Sequence, residues 1–495
     1  MIKKQKRFIL ILGIAAVVLI IAYFAVVVPI MNSMATDEEE VPELLDGEVL
    51  GTSNRILMFE HVEKSDMQEI AVHNTYGDYA FYRGTDDELY IRGNEGAPYS
   101  LTALSSLVVS AGYTLSMERV QIDCADMSEY GLADSDKPCW YSVTKTDGEK
   151  HTVYIGDRIP TGAGYYARYE GRNAVYILDS SLAATLLADV TALITPILSY
   201  PVSSTTYYTV EDFYIARDGE LFVWIDYLTE EEKAETASTA IYQMKYPTSY
   251  ETSSTNYDTI LQSFTDFEGL YTVAIGNTEE TLSPELLLKY GIDMENPAYE
   301  LHYKYSGVDN YVYFSKKNDD GTIYAYSMLF NLVAVVDYST VEWLDWDIIW
   351  YVDTPIFSKN INDIAEIQVT ADGLDETFTL VGEGTDILVT PKSTGKTYDA
   401  DELYNFRQFY KVLLTLGMED YTENDSTKNC MAMLRVKTDS GVETIYKFYP
   451  YSTRRCYYTV NGEGEFYTLR DMVEKMISDT KKVVAGLPVD SDKKN

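Results

Sequence analysis

The sequence predicts an α+β protein: an N-terminal transmembrane helix followed by tandem repeated modules of antiparallel β-sheet with covering helices. Three observations predict it. A long uncharged apolar run stands near the N-terminus, tyrosine is in large excess, and a pattern of strands, helix and hairpins recurs along the chain.

The run FILILGIAAVVLIIAYFAVVV extends from Phe8 to Val28 without a charge. As a helix it covers roughly 30 Å, the hydrocarbon thickness of a bilayer; with its flank the span is residues 8–30. Lys3, Lys4, Lys6 and Arg7 precede it, and Asp37, Glu38, Glu39 and Glu40 follow. The positive-inside rule therefore places residues 1–7 in the cytoplasm and the ectodomain outside, a single-pass protein of the cell membrane. A cleaved secretory signal is the competing reading, because Ser33 and Ala35 have the spacing of a cleavage site. The apolar region of such a signal normally runs about 7 to 15 residues, shorter than this one. No cysteine precedes Cys124, so a lipoprotein attachment at the end of the run is set aside.

The chain has 495 residues, 46% of them hydrophobic, enough for about two to four domains with sizeable cores. A net charge of −39 excludes nucleic acid as a partner, since neutralising phosphates needs clustered Lys and Arg. The same charge keeps a secreted surface soluble. Tyr, at 44 residues, suits strands, because its ring packs while its hydroxyl stays wet. Tyrosine surfaces also stack on sugars, which opens a glycan- or wall-binding alternative. Cys124, Cys139, Cys430 and Cys456 are too few for a disulfide scaffold in a chain of this length. Cys124 with Cys139, or Cys430 with Cys456, could pair outside the cytoplasm; free thiols are the alternative.

After the span, residues 31–54 read as an acidic juxtamembrane linker. Repetition then begins. DMQEIAV from Asp66 and DIAEIQV from Asp363 alternate as strands with Ile and Val on one face. Helical spacing follows in Ser100–Leu115 and in Asp399–Gly417, each reaching a glycine at or near its end. CWYSVTKTDG from Cys139 and CMAMLRVKTDSG from Cys430 both read as a strand entering a TDG-type turn. YYARYEGRNAVYIL from Tyr165 and YYTVNGEGEFYTL from Tyr457 follow as hairpins. A more diverged middle copy carries YGIDMENPAYELHYKYSG from Tyr290, which answers YGLADSDKPCWYSVTKTDG from Tyr130. Three modules result, 55–198, 199–355 and 356–487, each with strands, a helix, hairpin strands and a closing helix. Their spacing of about 150 residues fits tandem domains, not solenoid units of about 20 to 50 residues. Residues 488–495 are expected to be a disordered tail.

The anchor, the D-x-x-E-I-x-V strand, the YGL motif at Tyr130–Leu132 with Pro138 after it, HTVYIGD and AVYIL together resemble the bacterial domain-of-unknown-function 4340 (DUF4340) family. The likeness is strongest from Asp66 to about Leu187. It implies an envelope protein, often encoded beside components of ABC transporters of the gliding-motility type, and it brings no catalytic residues to carry over. The YGL motif itself reads as structural, with Gly131 left-handed at a helix end and Leu132 packed inward.

No nucleophile elbow, zinc-binding H-E-x-x-H, Walker or Rossmann motif stands in a supporting context. His61, His73, His151 and His302 lack metal-ligand spacing, and no cofactor is expected. Among 78 Asp and Glu residues a glycosidase-type pair has no distinguishing sequence signal. The acidic turn at Asn318–Gly321 lacks the full calcium loop and reads as a hairpin turn. TEEEKAETAS from Thr229 reads as a solvated helix start. Trp343, Trp346 and Trp350 are the sharper anomaly: at i, i+3 and i+7 they would share one helix face. They read first as a core between the second and third modules; the alternative is an exposed docking patch, which makes them the candidate partner-binding residues.

The expected function is a non-enzymatic accessory component of the cell envelope, tethered to the bilayer through Phe8–Val28 and binding membrane transporter subunits. A wall-glycan module is the alternative, and an envelope hydrolase using a carboxylate pair is the third reading.

Overall fold

The structure, a computed structural model, describes residues 42–236, 240–277, 280–422 and 427–491. The expected transmembrane helix at 8–30 and the cytoplasmic residues before it lie outside the described residues. Among the described residues no helix is long and apolar enough to cross a membrane.

Among the described residues the chain is a β-rich mixture of strands and few helices, arranged as three large antiparallel sheets and one two-stranded hairpin. The first large sheet begins at Met67–Asn74, the second at Glu211–Arg217 and the third at Ile364–Ala371. Counting strands within the first or the third in chain order, their order across the sheet is third, second, first, fifth, sixth, seventh, eighth, fourth. The second sheet has the same order with one addition, the two-residue strand Tyr250–Glu251 outside its third strand.

The agreement extends to register. Ile70 lies opposite Phe81 and Val143, and Ile367 lies opposite Phe378 and Val436. All six side chains are buried, as the strict alternation of faces along a strand requires. Both first strands also carry an irregularity at one place, between Met67 and Glu69 and between Ile364 and Glu366. A bulge there puts Met67 or Ile364 on the buried face although it stands an odd number of residues from the next core residue.

A helix joins the third strand of each sheet to the fourth, at the opposite edge. In the first it is Leu101–Gly112, with Ser100 accepting from the Ala103 amide. In the third it is Ala400–Leu414, where Asp399 and Glu402 form a capping box. Leu104, Leu107, Val108 and Ala111 are buried in the one, Phe406, Phe409, Tyr410 and Leu413 in the other, the spacing of a single helix face. In the second it is Ser254–Ser263, capped by Ser253.

The chain divides into two compact units. One holds the first sheet and closes at Leu193; the other, Gly93–Tyr99 and Ile194 onward, holds both the second and third sheets. In the first unit Gly131 is left-handed (φ 66) at the end of the turn Met127–Tyr130, and Leu132 is fully buried. Residues expected as linker are partly built into this unit. Val49–Leu50 pairs with Ile56–Leu57, and the Glu48 side chain is fully buried while its Arg119 partner is 11% exposed. Glu48 accepts from the Leu45 amide (2.7 Å), the Tyr176 hydroxyl (2.6 Å) and the Arg119 guanidinium. Three donors compensate the desolvation that leads an isolated acidic residue to be read as solvated.

Two other expectations are corrected. The second module ends not in a helix but in three 3-10 turns, Tyr338–Thr340, Glu342–Asp345 and Ile348–Trp350. The first residues of the expected disordered tail pack against the helix Ala400–Leu414. Asn405 donates to the Leu487 carbonyl and accepts from the Val489 amide, and Val489 is buried. The cysteines are free thiols; Cys124 and Cys456 are buried, and burial raises the Cys456 thiol to about 11.

Replacing Glu48 by Ala leaves the Arg119 guanidinium uncompensated at a nearly closed site, and should cost about 3 kcal/mol in chemical denaturation. Glu48→Gln, which keeps an acceptor for Tyr176, should cost less. A loss below about 0.5 kcal/mol, ordinary for a surface residue, would show that residues before Thr52 are not part of this core.

Candidate functional site

Between its second and third sheets, inside the second unit, the chain runs through YVDTPIFSK from Tyr351. Two buried pairs bracket the middle of this segment: Tyr351 with Val352 and Ile356 with Phe357 are buried, whereas Asp353 is half-buried and Thr354 and Pro355 are exposed. It is held on both sides. Toward the second sheet Val352 pairs with Thr252, the Asp353 amide donates to the Glu251 carbonyl, and the Ser253 amide donates to the Tyr351 carbonyl, both 3.0 Å. Toward the third, Pro355 pairs with Gly417; the Ile356 amide donates to Leu416 (2.9 Å) and the Met418 amide to Thr354 (2.7 Å).

A cleft of about 310 Å³ opens beside the segment, at the lower end of the size range of small-ligand sites. The edge of the second sheet contributes Gln243, Tyr250 and Glu251, the segment contributes Asp353 and Lys359, and the third sheet contributes Tyr446 and Glu463. The Tyr250 hydroxyl is 3.1 Å from that of Tyr458, and its ring lies 4.8 Å from the Phe466 ring. The added strand Tyr250–Glu251 thus joins the two sheets through aromatic packing as well as backbone pairing. Tyr446 is buried, and burial raises its hydroxyl pKa, as it does that of Tyr250.

The charges in the cleft do not balance. Glu251, Asp353 and Glu463 face one lining cation, Lys359. With Thr252 opposite Val352, Glu251 falls opposite Asp353, and cross-strand neighbours have Cβ atoms about 5 Å apart on one face. Burial raises the Asp353 pKa and the Glu251 charge raises it further. Burial lowers the Lys359 pKa, against the pull of Glu251 and Asp363. Glu251 and Asp353 therefore stand side by side on one wall, whereas a glycosidase pair flanks the scissile bond from two sides.

The tryptophans reach different environments. Trp343 is buried against Phe264 at 6.0 Å, Trp346 is half-buried, and Trp350 is 52% exposed. They share no helix face, because Trp346 is extended (φ −63, ψ 139). The Trp343 carbonyl accepts from the Tyr351 hydroxyl at 2.6 Å and from the Trp346 amide at 3.3 Å. Trp346 and Trp350 pack on each other at 6.1 Å.

Other singled-out segments are local structure. Asn318–Gly321 closes a hairpin, with the Gly321 amide on the Asn318 carbonyl at 3.1 Å. Thr229 and Glu232 cap Glu230–Thr236 reciprocally, and Lys245 holds the Glu232 carboxyl down at about 2. His73 and His151 lie on strands, and His302 bridges the Asp212 carbonyl and Asp309. Among the described residues no three His, Cys, Asp or Glu side chains are grouped to hold a metal.

Sequence reasoning missed the cleft because its walls come from segments far apart. One signal was present: an acidic residue, Asp353, directly follows the buried Tyr351 and Val352 just after the tryptophans.

Asp353→Asn should raise the thermal unfolding midpoint at neutral pH. The folded-state pKa lies above the unfolded one, so the charge costs stability at pH above both values and nothing at pH below both. The gain should accordingly vanish as pH falls below the usual aspartate value. An equal gain at all pH, or a loss at neutral pH, would contradict the unbalanced charge.

No match is found among curated proteins or solved structures. Residues 90–289, from the third strand of the first sheet to the helix Pro284–Lys289 of the second module, match the model of the family described as Domain of unknown function (DUF4340), which supports the DUF4340 family for this chain.

Proposed function

We propose that this protein is a non-enzymatic, membrane-anchored extracytoplasmic component of the cell envelope. It is built from tandem copies of one α+β module and binds a protein partner within a transporter complex of the gliding-motility ABC type. The cleft between the second and third sheets carries the reading. It is a polar, aromatic-walled concavity, and paired backbone segments fix it from both sides. Such preorganisation favours recognition, because little ordering entropy is lost on binding.

The strand order common to all three sheets supports tandem copies, and the uncharged run Phe8–Val28 with its basic flank supports the anchor and the outward ectodomain. A wall-glycan ligand is the second reading, favoured by Tyr250 and Gln243 in the cleft, since sugars take both stacking and amide hydrogen bonds.

Affinity purification of the detergent-solubilised full chain should recover a membrane protein partner, and that partner should be lost when the cleft is altered at Tyr250 and Glu251 together. Recovery of no membrane protein, under conditions that keep other envelope complexes intact, contradicts the proposal. Sedimentation of the chain with purified wall in its place would favour the glycan reading.

A further inference from the structure

Asp353 is the anomaly of the cleft. Its carboxylate is half-buried, and among the described residues neither a hydrogen-bond donor nor a cation acts on it; the one charge that does is that of Glu251, of the same sign. Lys359, the lining cation, is tied electrostatically to Glu251 and Asp363 instead. A partly desolvated charge beside a like charge is costly. Two more deeply buried carboxylates are compensated: Glu48 has three donors, and Asp479 has Lys475 at 2.7 Å and Lys482 at 2.6 Å.

At Asp353 the compensation is missing, and the carboxylate borders an open cleft with a third carboxylate, Glu463, and tyrosine rings in its walls. We propose that the cleft seats a primary ammonium group on Asp353, supplied as a lysine side chain by the protein partner. This rests on the protein-partner reading above for the source of the amine, but not for the seat itself.

The chemistry of the walls selects this group. Glu251, Asp353 and Glu463 against Lys359 leave a negative balance that repels carboxylates and phosphates. A compact ammonium has three donors for carboxylates and attracts aromatic faces. An alkyl stem would run along Ile356 and Val460, apolar residues of the same lining.

The test is calorimetric titration of the detergent-solubilised full chain with four probes. They are the blocked tripeptide Ala-Lys-Ala, its ε-N-acetyl-lysine counterpart, glucosamine and N-acetylglucosamine. Binding of the lysine peptide about ten-fold or more tighter than its acetylated form is expected, the weight of one charge-assisted hydrogen bond. Asp353→Asn should abolish that difference; because this variant is expected to be more stable than the parent, misfolding does not explain a loss. Glucosamine bound tighter than N-acetylglucosamine, with the lysine peptide silent, upholds the seat and overturns the protein source. Equal binding of both members of each pair, or a difference that survives Asp353→Asn, overturns the proposal.

Discussion

Each large sheet depends on one antiparallel pairing, between its first strand and its fifth. The chain leaves Met67–Asn74, forms two more strands, a helix and an edge strand, and returns at Cys139 to lie beside the strand it left. Closing so long a loop costs entropy, and the return is stabilised by buried apolar pairs across the seam. These are Ile70 with Val143, Ile215 with Leu301, and Ile367 with Val436. Without the seam the strands on either side would be two small antiparallel pieces, and the helix that crosses from the third strand to the fourth would have no continuous face to cover.

One departure from this plan creates the cleft. In the second sheet the chain adds Tyr250–Glu251 beyond the third strand and replaces a closing helix with tight turns that lead into the bridging segment 352–357. The two short segments pair, and the far end of the bridging one reaches Leu416 and Met418. Backbone hydrogen bonds thus hold two carboxylates side by side, an arrangement that like-charge repulsion opposes. Local cost of this kind is tolerated where the surrounding structure over-determines the geometry.

Much of the regular structure was legible in the sequence, for physical reasons. Ser100 and Asp399 announce helix starts because their oxygens satisfy amides that a helix leaves open, and Ile70, Val72, Ile367 and Val369 announce strands by alternation. What was not legible depends on partners distant in sequence. The bulges at Met67 and Ile364 change register without changing composition. Glu48 reads as solvated until Arg119 and Tyr176 are brought to it, and Val489 reads as tail until Asn405 captures its amide. The tryptophan spacing fits a helix as well as it fits successive tight turns, and the extended backbone of Trp346 is what separates those turns. The cleft was hidden for the same reason: Tyr250, Asp353 and Tyr446 meet only through sheet pairing.

Binding at the cleft requires that the cleft be a fixed feature of the fold. Hydrogen exchange resolved to single amides measures this most directly. The amides of Ser253, Asp353, Ile356 and Met418 should be protected together with those of the strand pairing at Ile367 and Val369, since all are backbone-bonded in one compact unit. If those four exchange at the rate of unprotected backbone while Ile367 and Val369 remain protected, the segment is not held between the two sheets and the cleft has no fixed walls.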